Sequence, residues 1–283
     1  MLSDEQIVKN FQIEKLLKKY PKSGQKQVSL IQHKKYGKVV LKLVQGENER
    51  VKREIAIVTE NDFDSVPKVL MMDDYEIDGE KGIYIFEQYI DGTTLREILQ
   101  KGKMNLYEAM FLMESMLKII VQMEHKEIVH RDIKPENIIK SKDGEWFLID
   151  FGIARALTLN SLTLTEVQVG PHTPGYGAPE LFQYSKKDID SRADIFSLGI
   201  VLFESVTGKH PFIRGDELNL NEIWYNTVTV VPQSVVIDGD RDMQFVGLIQ
   251  TFMQKHIMRR PKTAVKAMEW YMSVKSNINV GVD

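Results

Sequence analysis

The residue types with the clearest chemical use lie between His130 and Gly152. Two carboxylates, an amide and a lysine stand at the ends of short apolar segments there: Asp132, Lys134, Asn137 and Asp150. Carboxylate and amide oxygens suit Mg²⁺, which takes one or two such protein ligands and fills its remaining positions with water and phosphate oxygens. The set could therefore hold Mg²⁺ and a phosphoryl group against a hydroxyl. Capping of turns and helices is the alternative interpretation, but capping does not require all of these residues at these offsets.

The order and spacing of this set resemble the catalytic and metal-binding loops of the eukaryotic-like serine/threonine protein kinase family. The resemblance implies that Asp132 accepts the proton of the attacking hydroxyl and that Lys134 reaches the γ-phosphate. It also implies that Asn137 and Asp150 bind Mg²⁺ once nucleotide is present. ATP and Mg²⁺ are thus the expected cofactors.

Length and composition limit the class of protein. A chain of 283 residues is long for one domain, so one bilobal unit or two domains are expected. Hydrophobic residues make up 43% and charged residues 27%, which is typical of globular proteins. The net charge of −3 argues against a general nucleic-acid-binding surface, and no apolar stretch approaches the roughly 18 residues that span a bilayer. The absence of cysteine excludes disulfides and suits a cytoplasmic protein. The lack of a long apolar stretch leads us to expect no membrane segment in this chain.

The first 45 residues have the pattern of a β-rich region. Residues 3–19 predict an amphipathic helix that leads into a strand, and two β-branched runs around Tyr36-Gly37 predict a hairpin. In the kinase family the loop before this hairpin is glycine-rich so that backbone amides approach the phosphates. This chain keeps only Gly24, and Pro21, Ser23 and Lys26 stand where the glycines are expected.

We expect the nucleotide to be bound by residues of this loop and of the strands beside it: Ser23, Gly24, Lys26, Val28 and Lys42. Lys26 could contribute charge in place of backbone amides. The resemblance implies that Lys42 holds the α- and β-phosphates and forms an ion pair with Glu54 from a following helix. A solvated surface lysine is the alternative for Lys42, and an exposed helical pair with a neighbouring residue is the alternative for Glu54.

The segment from Ile83 to Leu95 predicts a strand, a linker and the start of a helix. Composition changes here from strand-rich to helix-rich, so we predict an N-lobe over residues 1–89 and a C-lobe over residues 90–283. By resemblance, the adenine edge meets the backbone of Gln88 and Ile90, and Ile139 of the C-lobe also contributes to nucleotide binding. Glu87 occupies the back of the pocket, where a carboxylate must be paired or partly solvated.

The segment from Asn105 to Lys126 predicts the central helix of the C-lobe, with its methionines in the core. Beyond Gly152 a hydroxyl-rich stretch carries Thr158, Ser161, Thr163 and Thr165, and either a solvated loop or a site of autophosphorylation fits it. In the second case, Arg131 could bind the phosphate.

Residues 170–180 resemble the segment that closes the activation loop of kinases, with Thr173 contacting the catalytic aspartate and lysine. The apolar stretch from Ser191 to Glu204 predicts a buried helix with Asp194 near its start, where it either caps the helix or binds backbone amides. By resemblance, Arg260 forms an ion pair with Glu180.

Together these patterns predict an α+β, bilobal, protein-kinase-like fold with ATP between the lobes. The expected activity is transfer of the γ-phosphate of Mg-ATP to serine or threonine hydroxyls of protein substrates, with autophosphorylation through transient self-association and no nucleic-acid partner. A pseudokinase, a small-molecule kinase of similar fold, and a nucleic-acid-binding protein with a basic face near residues 15–42 are the alternatives.

Overall fold

A computed structural model describes residues 2–21, 26–46, 63–150, 175–182, 189–217, 219–240 and 242–278. Residue contacts divide these into two compact units. The first contains the described residues up to Asp91 together with Asp150, and the second contains those from Gly92 to Ile149 and from Gly175 onward.

The first unit is an antiparallel sheet preceded by one short helix. In chain order its described elements are α1 (Asp4–Asn10), β1 (Ile13–Lys19), β2 (Lys26–His33), β3 (Gly37–Gln45), β4 (Val69–Ile77) and β5 (Glu80–Gln88). The strand order across the sheet is β1-β2-β3-β5-β4. Ser3 and Gln6 form a capping box that starts α1, and Gly37 adopts a φ of 71° at the β2–β3 turn. The predicted helix-to-strand segment and the predicted hairpin are both present.

The two faces of this sheet have different characters, because side chains alternate along each strand. One face carries the main core of the unit, which contains Ile31, Val39, Leu41, Leu43 and Phe86 together with Ile7 and Phe11 from the α1 region. The other face carries a smaller apolar cluster of Val44, Ile83 and Ile85. The charged side chains of Lys26, Lys42 and Glu87 share this second face, since Lys42 lies opposite Val28 and Glu87 lies opposite Val40.

The second unit is mainly helical. Its described elements are β6 (Gly92–Thr94), α2 (Leu95–Leu99), α3 (Leu106–Glu124), a 3₁₀ turn (Pro135–Asn137), β7 (Ile138–Ser141), β8 (Trp146–Leu148), α4 (Pro179–Phe182), α5 (Ser191–Thr207), α6 (Leu220–Thr229), α7 (Gln244–Phe252), a second 3₁₀ turn (Ile257–Arg259) and α8 (Ala264–Asn277). Strands β6, β7 and β8 form a small antiparallel sheet.

Helices α3 and α5 form the centre of the second unit. Helix α3 begins with a capping box between Asn105 and Glu108, and its methionines are buried: Met110, Met113, Met116 and Met123. The prediction that they belong to the core is confirmed. Helix α5 is buried almost all round, and a Cβ atom at Gly199 would lie 2.8 Å from the Cβ atom of Phe252. Glycine at this position therefore permits the close approach of α5 and α7.

Candidate active site

The charged face of the first unit contains a compact cluster of two lysines and two carboxylates. Lys42 Nζ lies 2.5 Å from Glu87 Oε2 and 2.8 Å from Asp150 Oδ1, and Lys26 Nζ lies 2.7 Å from the same Asp150 oxygen. The lysine side chains are only 7% (Lys26) and 3% (Lys42) exposed, whereas that of Asp150 is 30% exposed. The four groups therefore form one linked network rather than separate surface pairs.

The sheet and the backbone at Asp150 explain how these groups meet. Register places Lys26 and Lys42 on one face of the adjacent strands β2 and β3, with Glu87 of β5 on the same face. Asp150 adopts a φ of 66°, a left-handed conformation that aspartate tolerates better than most residues. The expectation that Glu87 is paired is confirmed, and its partner is Lys42.

Electrostatics in this cluster follow from burial and pairing. Burial alone would raise the pKa of Asp150, but Lys26 and Lys42 outweigh it and hold that pKa well below its ordinary range. Burial lowers the pKa of Lys26, and the neighbouring charge of Lys42 adds to this against the attraction of Asp150. Burial also acts to lower the pKa of Lys42, but its two carboxylate partners, Asp150 and Glu87, raise that pKa overall. The different directions reflect one partner for Lys26 and two for Lys42.

The second unit holds the predicted catalytic loop. Asp132 Oδ2 lies 2.8 Å from Lys134 Nζ and accepts a 2.9 Å hydrogen bond from Asn137 Nδ2, which also donates to the backbone carbonyl of Asp132. The 3₁₀ turn at residues 135–137 brings Asn137 back toward Asp132 over a short span of chain. Three predicted site residues thus contact one another within this loop.

Asp194 anchors the start of this loop from helix α5. Its fully buried carboxylate accepts the backbone N–H groups of His130 at 2.8 Å and Arg131 at 2.7 Å. Burial raises the pKa of Asp194 to about 7, while His130 and its N–H donor act against that rise. Of the two roles expected for Asp194, capping of α5 is wrong, because Asp190 is the N-cap, and binding of backbone amides is confirmed.

His130 and Ile149 fix the loop at a second point. His130 Nε2 donates to the Ile149 carbonyl at 3.1 Å, and its Nδ1 accepts from the Asp132 N–H at 3.3 Å. The Ile149 N–H in turn donates to the Asn137 carbonyl at 2.9 Å. Arg131 adopts a φ of 69° between these anchors. The loop is thus held at His130, Arg131 and Asn137, which restricts the position of Asp132.

The chemistry of the donor groups fits Mg²⁺ and a nucleotide. The Asn137 amide nitrogen is committed to Asp132, which orients the amide so that its oxygen is the potential metal ligand. Both lysines contact Oδ1 of Asp150, and no hydrogen bond between described residues uses its Oδ2. One amide oxygen and one carboxylate oxygen are a normal protein contribution to a Mg²⁺ site that phosphates complete. Each unit therefore offers one oxygen of the kind that Mg²⁺ prefers, Asn137 Oδ1 in the second unit and Asp150 Oδ2 in the first.

Four of the remaining predicted nucleotide-binding residues belong to the described part of the chain: Val28, Gln88, Ile90 and Ile139. The Gln88 N–H donates to the Lys68 carbonyl, and the adenine contacts expected of the Gln88 and Ile90 backbone stay predictions. Val28 lies opposite Lys42 in the first unit, and Ile139 lies in β7 of the second. The other predicted positions lie outside the described residues: Ser23, Gly24, Glu54, Thr173 and the hydroxyls of residues 158–165. The expected Lys42–Glu54 and Thr173–Asp132 contacts stay predictions.

A buried ion pair joins helix α4 to the chain after the second 3₁₀ turn. Arg260 donates from Nη1 to Glu180 Oε1 at 2.6 Å and from Nη2 to Glu180 Oε2 at 3.0 Å. The Arg260 side chain is fully buried and also donates to backbone carbonyls. The pair expected from the resemblance is therefore present, and it fixes the chain after Tyr176.

Sequence reasoning missed a second polar network, centred on Arg96 of α2. Arg96 donates to Glu136 at 2.7 Å, to Glu204 at 2.7 Å and to the Tyr176 hydroxyl at 2.6 Å, and that hydroxyl donates to Glu204. Burial acts to lower the pKa of Arg96, but the bonds to Glu204 and Glu136 raise it overall. These four residues are far apart in the sequence, and no local pattern marks them as partners.

The described residues include no group of three or more His, Asp or Glu side chains placed to hold a metal ion by themselves. None of the helices that the structure describes is both long and apolar enough to cross a lipid bilayer.

Comparison with known proteins agrees with this geometry. The chain is 36% identical to the serine/threonine-protein kinase PknL of Mycobacterium tuberculosis over 158 residues, which cover 55% of this chain and 38% of PknL. It is 39% identical to the serine/threonine-protein kinase PrkC of Bacillus subtilis over 140 residues, covering 49% of this chain and 21% of PrkC. Serine/threonine-protein kinase 36 of Pongo abelii is 32% identical over 177 residues, covering 62% of this chain and 13% of that protein.

The chain therefore spans well under half the length of these curated relatives. The model of the protein kinase domain family matches residues 24–271, which is most of the chain. The sheet of the first unit and the helices of the second have the α+β composition of that fold, so the predicted fold class and resemblance are confirmed. The chain belongs to the protein kinase domain family.

Proposed function

We propose that this chain is a serine/threonine protein kinase that transfers the γ-phosphate of Mg-ATP to hydroxyl groups of protein substrates. The observation that carries the proposal is the Asp132 carboxylate, which Lys134 and Asn137 hold on a loop anchored by the buried Asp194. Phosphoryl transfer depends mainly on positioning and on charge stabilisation, and this loop supplies both. The names of the curated relatives support serine and threonine as acceptors.

Each residue has a distinct task in this proposal. Asp132 orients the substrate hydroxyl and accepts its proton, and Lys134 places positive charge beside the transferring phosphoryl group. Asn137 and Asp150 bind Mg²⁺, which neutralises charge on the phosphate oxygens when it is bound. Lys42 binds the phosphates of the nucleotide, and the backbone of Gln88 and Ile90 positions adenine. Thr173 is proposed to orient Asp132 and Lys134.

The alternatives receive less support. A pseudokinase would be expected to lose part of the machinery, yet Lys42, Asp132, Asn137 and Asp150 are all present. The Arg260–Glu180 pair supports a fixed platform for protein substrates rather than a small-molecule kinase. A net charge of −3 gives no support to nucleic-acid binding, and the lack of cysteine fits activity in the reducing cytoplasm. Self-association is proposed only for autophosphorylation.

The direct test is transfer of labelled phosphate from ATP to a casein-like protein. We expect phosphoserine and phosphothreonine in the acceptor, no transfer after Mg²⁺ is chelated, and almost none with Asp132→Asn. Nucleotide binding without transfer to any acceptor would support the pseudokinase alternative. Transfer to small-molecule hydroxyls but not to proteins would support the small-molecule alternative.

A further inference from the structure

Lys26 adds a second positive charge to the cluster, beside that of Lys42. We propose that Lys26 is a second phosphate-binding lysine, which offsets the charge of Glu87 so that the pocket can accept a polyphosphate. The inference rests on the proposed function, because it concerns the same nucleotide site. It concerns how the chain binds phosphate where its loop has lysine and serine instead of glycine.

The Lys26 side chain is directed toward Asp150 and is buried. Lys26 is the first residue of β2, and a lysine at the end of a strand can normally extend its ammonium group into water. Here the side chain is 7% exposed, and its Nζ lies 2.7 Å from Asp150 Oδ1. Burying an ammonium group is costly unless it is paired, so this orientation requires the carboxylate. Lys26 is thus directed at the residue that is expected to bind the metal of the nucleotide.

Lys26 also balances the charge of the cluster. Lys42, Glu87 and Asp150 carry one positive and two negative charges, so these three buried or partly buried groups sum to −1. The excess negative charge weakens the attraction of these groups for the phosphates of a nucleotide. Lys26 adds one positive charge and brings the sum to zero. Because Glu87 occupies one side of Lys42, Lys26 restores the attraction for phosphate that Glu87 removes.

The two lysines contact one oxygen of Asp150, the proposed metal ligand, and do not contact the other. Both ammonium groups contact Oδ1 of Asp150, and no hydrogen bond between described residues uses Oδ2. The lysines can therefore remain beside Asp150 while its second oxygen faces a cation. Because Lys26 and Lys42 both contact Oδ1, they also hold the Asp150 carboxylate in one orientation, which preorganises it for binding the cation.

The test measures binding rather than turnover. Dissociation constants for Mg-ADP and for adenosine would be determined by calorimetry for the wild type, Lys26→Met, Glu87→Gln and the double variant. We expect Lys26→Met to weaken Mg-ADP binding about 10-fold, which corresponds to the loss of one favourable charge contact, with adenosine affinity changed less than about twofold. Glu87→Gln should restore most of the Mg-ADP affinity in the double variant. Lys15→Met, an exposed lysine of β1, is the matched control and should change neither constant.

Glu87→Gln alone keeps the test decisive if Lys26→Met does not fold. It leaves both lysines in place and raises the charge sum to +1, so it should strengthen Mg-ADP binding without a matching gain for adenosine. Equal changes for Mg-ADP and adenosine in the Lys26 and Glu87 variants would overturn the inference and make Lys26 a structural residue only. If the wild type binds neither Mg-ADP nor adenosine, the proposed function itself is wrong.

Discussion

The buried ion pair between Arg260 and Glu180 predicts a specific stability defect. Glu180→Gln removes the negative charge but leaves the Arg260 guanidinium in a site where its side chain is fully buried. Breaking a buried pair from one side costs about 3–5 kcal/mol. Backbone carbonyls of Arg192 and Gln254 still accept hydrogen bonds from Arg260, so we expect the lower end, about 3 kcal/mol.

The double variant separates pairing from packing. Arg260→Met leaves the Glu180 carboxylate and the three backbone carbonyls of Arg192, Gln254 and Lys255 without their donor, and we expect a loss of about 4 kcal/mol. Adding Glu180→Gln removes the orphaned charge. The double variant should therefore be less destabilised than the sum of the two single variants by about 2–3 kcal/mol. The exposed pair between Lys266 and Glu269 is the control, and Glu269→Gln should cost less than about 0.5 kcal/mol.

Tryptophan fluorescence is a suitable assay because Trp146, Trp224 and Trp270 all belong to the second unit, as the ion pair does. Urea unfolding followed by this signal reports the stability of that unit. Additive effects of Glu180→Gln and Arg260→Met, or a Glu180→Gln loss no larger than that of Glu269→Gln, would refute the argument from buried charge.

Three further predictions concern pH, ligand and modification. Burial and then the charge of Arg96 lower the pKa of His210 to about 4, and His210 Nδ1 accepts two backbone N–H groups, so its neutral form stabilises the fold. This contribution is present above about pH 6.5 and is lost as the pH falls toward 4. Because the raised pKa of Asp194 contributes a slope of the opposite sign in this range, the wild type and His210→Gln are compared by urea titration. The slope of unfolding free energy against pH should be greater in the wild type by up to about 1.4 kcal/mol per pH unit, and equal slopes would contradict this. Mg-ATP at about 100 times its Kd should add about 2.7 kcal/mol to the unfolding free energy. Asp150→Ala should remove most of the Mg²⁺-dependent part of this gain. A Tm that does not change when nucleotide is added would rule out the pocket. Autophosphorylation within residues 153–170 should precede full activity, with a lag that shortens at higher protein concentration. If peptide mapping finds phosphate only elsewhere and there is no lag, Thr158, Ser161, Thr163 and Thr165 are ordinary loop residues.

Local patterns were sufficient to predict much of the fold. Two β-branched runs around Tyr36-Gly37 predicted the hairpin, since strand alternation and a glycine turn are local properties. Helical spacing predicted that the methionines of α3 are buried. Asp194 was expected to cap a helix or to bind backbone amides because it lies near the start of an apolar helix, and only the second role is present.

Contacts between distant segments could not be predicted in the same way. Lys26 and Asp150 are 124 positions apart, and their contact depends on the register of β2 and on the left-handed backbone at Asp150. Arg96, Glu136, Tyr176 and Glu204 meet only because several elements of the second unit pack together. Resemblance to the kinase family predicted the Arg260–Glu180 pair, but no spacing rule within this sequence would have done so.

The central claim is that Asp132 acts on the incoming hydroxyl and not on ATP. The most direct test is the single-turnover rate of phosphoryl transfer by Asp132→Asn at saturating Mg-ATP, compared with the wild type. We predict a rate lower by about 10²–10⁴-fold, with a nucleotide Kd that changes less than about twofold, because general-base catalysis is lost while the nucleotide contacts remain. Equal rates for the two proteins would contradict the assignment of catalysis to this loop.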